Sequence, residues 1–240
     1  MIKEALKYIV EMAQPEIKVI NGQTYSDKSL YRINHNPKAD SIRMSTLTSL
    51  IDYIKSGVDQ MKGKMIIHIE SPTRVSMYSQ LDIDREREEI VKVDAQVPEF
   101  KFNQYLDHES FLIGVQSKFA DDKETDRSLI LKFAGTVEAG SVAEYGDDGI
   151  TQKATVKTGI ASKSEAVVPS PAILRPFRTF VEVEQPTSQY IFRMKQDKYD
   201  GIQCGLFEAD GGAWKLDAMY NIRMYLQEEL GDTEDFIIIS

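Results

Sequence analysis

One cysteine, three histidines and one tryptophan in 240 residues narrow the chemistry open to this chain. A lone Cys204 excludes an internal disulfide framework and a cysteine-rich zinc site within one chain. Its surroundings, GIQCGLF, read as a strand with no basic neighbour to lower a thiol pKa, so a small buried hydrophobe is expected and not a nucleophile. His35, His68 and His108 are isolated: none falls in the H-x-x-x-H or H-E-x-x-H spacing that places two metal ligands on one helix face. His68, inside MIIHIE, is expected to be a hydrogen-bonded sheet residue. The G-x-S-x-G elbow, the S-x-x-K box and the Walker loop are all missing. Long apolar runs are missing too, and no window approaches the ~18 residues of a membrane span. The opening MIKEALKYIVEMAQ interrupts its apolar pattern with Glu4 and Glu11 and has no small-residue cleavage site, which argues against a signal peptide. These absences predict a cytoplasmic protein without membrane contact, without a cofactor and without a catalytic residue to name.

What is present is the composition of an ordinary globular protein, 42% hydrophobic and 28% charged, long enough to bury roughly 70–75% of its unfolded surface. The net charge of −9 opposes non-specific adhesion to nucleic acid. It is spread unevenly. Thr151 to Lys198 holds eight Lys/Arg against four Asp/Glu, +4 there, which leaves −13 on the remainder of the chain.

The periodicities predict an α+β fold with mainly antiparallel sheet and about four helices, one N-terminal and one near the C-terminus. Ile2 to Met12 carries one apolar stripe and stops before Pro15. EIKVINGQTYS alternates around Asn21-Gly22, a pair suited to the positive φ angles of a two-residue hairpin turn. Leu47, Leu50, Ile51, Ile54 and Val58 repeat at helical spacing behind a Ser/Thr cap. KMIIHIESP, RVSMYSQL and EREEIVKVDAQV read as consecutive strands. DHESFLIGVQSKFA reads as a helix capped by Asp107, with Phe111, Leu112, Val115 and Phe119 inward. SLILKFAGTVEAG, ITQKATVKTGIAS, ILRPFRTFVEVEQP, QYIFRMKQ and IQCGLFEA read as strands, with EYGDDG a turn, before a last helix from Ala213 to about Leu230. An N-terminal helix, hairpin and helix over residues 1–63 are expected to form a subdomain, and residues 64–240 the main α+β domain.

Four stretches invite a functional reading. In FEADGGAWKLDA, the turn Asp210-Gly211-Gly212 presents backbone N–H groups to an anion, but Asp210 repels one and is better placed as a helix cap, ahead of a stripe of Leu216, Met219, Ile222, Leu226 and Leu230. Glu144, Asp147 and Asp148 are weak candidates for a divalent cation, against the reading of a solvated Gly-flanked turn. Lys153, Lys157 and Lys163, then Arg175, Arg178, Arg193 and Lys195, interleave with Phe177, Phe180, Tyr190 and Phe192. Cations beside aromatic faces are the ingredients of a groove for single-stranded nucleic acid, unless strand alternation sends the rings to the core and the charges to solvent. Finally, Glu228, Glu229, Asp232, Glu234 and Asp235 precede four large apolar residues, Phe236, Ile237, Ile238 and Ile239. These are expected to dock as an edge strand, within the chain or on a neighbour, and to serve assembly.

The phrases KFAGTVEAGSVAEYGDDGITQ, ILRPFRTFVEVEQP and LFEADGGAWKLDA resemble the YfdQ-like family of bacteriophage and prophage proteins, over about Lys132 to Leu226. That family has no established function, and its members are found among early phage genes for DNA metabolism or host takeover. The resemblance implies a phage or prophage origin and the cytoplasm of an infected bacterium, and it supplies no catalytic residue. The expectation is a non-enzymatic, homo-oligomeric phage accessory protein that binds nucleic acid or a host or phage protein. The alternatives are an anti-defence protein that sequesters a nucleotide ligand, a metal-dependent hydrolase using the acidic loop, and a virion component.

Overall fold

The computed structural model describes residues 2–29, 38–61, 63–83, 85–136, 142–147, 152–158, 162–167, 170–197, 201–231 and 234–240. The chain divides into two compact units between Ala39 and Asp40. In the first, helix α1 (Ile2–Ala13) stops ahead of Pro15 and leads into a hairpin of β1 (Ile17–Ile20) and β2 (Gln23–Ser26). Asn21 and Gly22 take φ angles of 54° and 80°, and Ile20 pairs with Gln23, as a two-residue turn of mirror-image type requires. Asp27 Oδ1 accepts from the Glu16 amide at 2.6 Å. The Lys28 ammonium donates to the carbonyls of Met12 and Gln14, where the negative end of the helix dipole favours a cation. No residue of α1, β1 or β2 is buried.

The second unit runs β3 (Ile42–Met44), α2 (Leu47–Ser56), β4 (Met65–Ser71), β5 (Arg74–Tyr78), β6 (Glu89–Asp94), β7 (Tyr105–Asp107), α3 (His108–Lys118), α4 (Arg127–Thr136), β8 (Val142–Asp147), β9 (Gln152–Thr158), β10 (Ser162–Val167), β11 (Ala172–Leu174), β12 (Ser188–Asp197), β13 (Gly201–Glu208), α5 (Trp214–Leu230) and β14 (Phe236–Ile239). Its two main sheets have the strand orders β14-β4-β5-β6-β3 and β11-β12-β13-β7, and β10-β9-β8 form a third. Helices α2 and α5 cover the five-stranded sheet. Leu47, Leu50, Ile51, Ile222 and Leu226 meet Met65, Ile67, Ile69, Val75, Met77, Val91 and Val93 there. Helices α3 and α4 cover the four-stranded sheet, where Phe111, Val115, Ile130 and Phe133 meet Tyr190, Phe192, Met194 and Leu206. Each large apolar side chain fully buried in this way contributes roughly 1.5–3 kcal/mol.

Local signals are realised at the helix ends. Thr46 caps α2 by accepting from the Ser49 amide at 3.2 Å, and Gly57 ends the helix in the left-handed region. Asp107 caps α3 by accepting from the Ser110 amide at 2.9 Å. This hydrogen bond, the largest of its influences, holds the Asp107 carboxyl below its ordinary pKa.

The fold departs from expectation in five places. The class is α+β and mainly antiparallel, but five helices are described, and both edges of the five-stranded sheet are parallel additions, β14 on β4 and β3 on β6. The subdomain expected over 1–63 ends instead at Ala39, because α2 places its apolar face in the core of the second unit. SLILKFAG is helix α4 and not a strand: Ile130, Phe133 and Ala134 bury at i, i+3 and i+4 spacing. EYGDDG does not begin as a turn, since Glu144 to Asp147 belong to β8 and pair with β9. Of ILRPFRTFVEVEQP, only Ile173 and Leu174 are strand. The segment that follows sends Phe180 and Val183 into the core of the five-stranded sheet, and Thr179 donates from its hydroxyl to the Pro72 carbonyl.

Candidate functional site

The segment after β11 crosses from one sheet to the other, and Arg178 locks the crossing. Its residue is 8% exposed. The guanidinium lies 3.7 Å from the centroid of the Trp214 ring and donates to Glu208 Oε1 at 3.2 Å and to the Ser188 hydroxyl. Ser188 in turn donates to Asp210 Oδ2 at 2.6 Å, and Asp210 Oδ1 accepts from the Gly212 amide at 2.9 Å. Asn103 completes the shell through the Glu208 amide and carboxylate. Gln185 Oε1 accepts from the amides of Arg178 and Thr179. FEADGGAW and RPFRTF are therefore two halves of one joint. Burial lowers the Arg178 pKa, yet a guanidinium stays charged because its intrinsic value is so high. Burial also acts on Asp210, raising its pKa, but the Ser188 and Gly212 hydrogen bonds and the Arg178 charge outweigh it and the net shift is downward. The Tyr190 ring centroid lies 6.0 Å from the Arg178 guanidinium carbon; its buried hydroxyl has no hydrogen-bond partner among the described residues, and burial raises its pKa well above the ordinary phenol value.

Asp210 thus acts otherwise than as a helix cap. Its carboxylate closes a turn onto Gly212, while Ala213, the residue at the N-cap of α5, is helical and makes no side-chain cap. Gly211 and Gly212 have φ of 63° and 85°, which this turn requires and glycine supplies without strain.

The six cations expected to share a basic surface have different fates. Arg178 is spent in the joint. Arg175 pairs with Asp122 at 2.7 Å, and with Glu184 and Glu124 at 3.6 and 3.7 Å. On β12 the alternation sends Tyr190, Phe192 and Met194 into the core and places Arg193 and Lys195 on the other face. There Lys195 covers the Tyr105 ring at 4.4 Å, and Arg193 donates to the Phe192 carbonyl. Lys153 and Lys157 lie on β9, where Lys157 is the cross-strand partner of Lys163. The strand-alternation reading thus describes β12, and two of the four arginines and lysines named after residue 170 are consumed by internal acids.

Glu144 and Asp147 occupy β8, opposite Thr155 and Gln152, and Asp148 and His35 lie outside the described residues. Among the described residues no group of three or more His, Cys, Asp or Glu is arranged to hold a metal ion, and no helix is long and apolar enough to cross a membrane. His108 Nε2 is 2.7 Å from the Ala134 carbonyl. His68 is half-buried on the five-stranded sheet, paired across the strands with the fully buried Ser76, and the Tyr78 hydroxyl donates to Glu70 and Glu89. Cys204 is buried, and burial pushes its thiol up to about 12.

Phe236 to Ile239 pair in parallel with Met65 to His68 of the same chain, so the C-terminal strand docks intramolecularly at a sheet edge. Phe236 and Ile238 pack against the core, whereas Ile237 and Ile239 are 46% and 43% exposed. Sequence reasoning missed two further apolar surfaces. On α5 the inward row is Ala218, Ile222 and Leu226, and Leu216, assigned to that stripe, points outward with Tyr220 and Met224, at 73%, 60% and 47% exposed. Spacing by four was the available signal, since 216, 220 and 224 form a row of their own on a helix of 3.6 residues per turn. In the N-terminal unit, Ile2, Leu6, Ile9, Val10, Met12, Ile17, Val19 and Ile20 are all between 54% and 80% exposed. The same unit has an open cavity of about 440 Å³ lined by Glu11, Met12, Gln14, Pro15, Glu16 and Asp27.

No family model, curated protein or solved structure matches this chain.

Proposed function

We propose that this is a non-enzymatic, homo-oligomeric phage accessory protein that acts by binding another protein, with its N-terminal unit as the docking element. The observation that carries this reading is the apolar face of α1 and the β-hairpin, on which no residue is buried. Exposed apolar surface of that extent marks an interaction site, and an amphipathic helix presents its anchors three, four, seven and eight residues apart, as Ile2, Leu6, Ile9 and Val10 stand here at i, i+4, i+7 and i+8. Residues 2 to 29 carry four lysines against Glu4, Glu11, Glu16 and Asp27. The helix and hairpin are therefore neutral in a chain of −9, and neither sign of partner is repelled. The phage setting rests on the sequence resemblance.

The test is site-specific photo-crosslinking from position 9 in cells that naturally make the protein. One discrete adduct with a different polypeptide, abolished by Leu6→Asp, is expected. Adducts confined to the same chain, or unchanged by Leu6→Asp, would sink the reading.

Nucleic acid is the second reading, favoured by one observation: the register sets Lys157 opposite Lys163 across β9 and β10, a like-charge pairing that an anion relieves. Binding of a single-stranded oligonucleotide that weakens steeply with salt, and that Lys157→Ala weakens further, supports it. Salt-independent binding or none speaks against it.

A further inference from the structure

The outer edge of β14 and the outward flank of α5 meet at one side of the molecule. Among the described residues no strand pairs with the outer side of β14, the last strand of the order β14-β4-β5-β6-β3. Helix α5 packs over β4 and β14. Three contacts fix its orientation: the Tyr225 and Thr48 hydroxyls at 3.5 Å, Lys55 Nζ with Glu229 at 3.0 Å, and the Asn221 side-chain amide donating to the Glu184 carbonyl at 2.9 Å. All lie on the α2 side. The opposite flank of α5, above the β14 edge, carries Leu216, Arg223 and Gln227, with Tyr220 and Met224 turned further toward solvent, and none of these five is acidic. Arg223 keeps its Nε buried there without a hydrogen-bond partner among the described residues.

We propose that this side is a twofold interface with a second copy of the chain, in which β14 pairs antiparallel with β14 of the other copy and the two α5 helices pack side by side. The occupant follows from three matches. An unpaired edge strand is completed by another strand, and a twofold makes the pairing self-complementary. Strands lie about 4.8 Å apart, so a helix seated over β4 and β14 is about 5 Å from the axis and its mate about 10 Å away, the distance at which helices pack. The charge fits as well: in a chain of −9 this flank is free of acids, so two copies approach here without carboxylates facing one another.

The register is also determined. A twofold normal to the sheet sets each residue opposite one on the same face. Centred on Ile237, it puts Asp235 against Ile239. Centred on Ile238, it puts Ile237 of each copy against Ile239 of the other, which covers both exposed isoleucines, and sets Ile238 opposite itself beneath the helices. The second arrangement buries apolar side chains and no charge, and the ten-stranded sheet it creates has no open edge at its centre.

This interface rests on the homo-oligomer of the proposed function. The experiment is the mass of the full chain by light scattering at micromolar concentration, with two kinds of variant. Wild type is expected at twice 27.2 kDa. Leu216→Glu with Gln227→Glu, both solvent-exposed and so compatible with the fold, is expected to weaken association at least ~100-fold with unchanged circular dichroism. Ile238→Cys is expected to form a disulfide between copies under mild oxidation, because residues opposite one another across antiparallel strands have Cα atoms within the ~4.4–6.8 Å that a disulfide spans. Ile237→Cys is expected to form none, and buried Cys204 is silent. A monomeric wild type overturns this interface and the homo-oligomer together. A dimer indifferent to the paired glutamates, or linked through position 237 instead of 238, overturns the interface alone and leaves docking through α1 standing.

Discussion

The Arg178 guanidinium stacks on Trp214 at 3.7 Å while its edge is held by Glu208 and Ser188. One cation thus ties the segment after β11 to the end of β13, in the four-stranded sheet, and to the start of α5, which covers the five-stranded one. The geometry uses properties that only arginine combines, a planar face for the ring and a donor fork for the acceptors.

Removing the guanidinium takes away the stack on Trp214 and the donors to Glu208 and Ser188, while Glu208 keeps Asn103 and solvent. Arg178→Ala is therefore expected to cost about 2–3 kcal/mol in urea denaturation, the scale of lost charged hydrogen bonds and a cation–π contact. Arg178→Lys keeps the charge but loses the stack and the fork, and should recover less than half of that loss. Equal stability of the lysine variant and wild type would show that charge alone matters at this position.

Asp210 gives the joint a pH dependence of definite sign. Its folded pKa is lowered, so the stability it contributes is fully present above the ordinary aspartate pKa and is lost as pH falls through the folded value. Melting temperature followed from pH 6 downward should fall less steeply in Asp210→Asn than in wild type, with a constant gap above the ordinary aspartate pKa that closes as pH falls through the folded value. Parallel curves across the whole range would remove Asp210 from the acid limb.

Much of this joint was beyond the reach of the sequence. Asn21-Gly22, Thr46 and Asp107 were legible because a hairpin turn and a helix cap are fixed by residues two or three positions apart. Arg178 finds Glu208 and Trp214 thirty and more residues away, and no local pattern announces which acid and which ring it will meet. The parallel pairing of β14 with β4 joins residues about 170 positions apart, so the terminal isoleucines could be read as an edge strand but their partner could not. Helix α4 was misread because a short apolar run fits both periods until the core selects Ile130, Phe133 and Ala134. Leu216 was misplaced for the same reason, lying within one turn of a stripe it does not join.

Deleting residues after Asp235 removes two half-buried side chains, Phe236 and Ile238, and bares the edge of β4. The loss should be roughly 3 kcal/mol, which for a domain of this size lowers the melting temperature by about 6–12 °C. The truncated chain should also run at monomer mass. An unchanged melting temperature would mean that the strand is not docked in solution.

Cys204 should be inert. Burial raises its thiol to about 12, and thiolate is the reactive form, so native protein should consume less than a tenth of an equivalent of a thiol reagent at pH 8, and unfolded protein one equivalent. Rapid reaction in the native state would show that β13 opens locally.

The central claim is that the chain binds another protein through its N-terminal unit. Native mass spectrometry of the full-length protein, isolated at low salt from cells that naturally make it, tests this most directly. The expected assembly holds two copies of the chain and a second polypeptide in fixed stoichiometry. In the variant Leu6→Asp with Ile9→Asp the second polypeptide should be gone and the pair of copies kept. An assembly of identical composition with and without these substitutions, or one that contains this chain alone, would contradict the account.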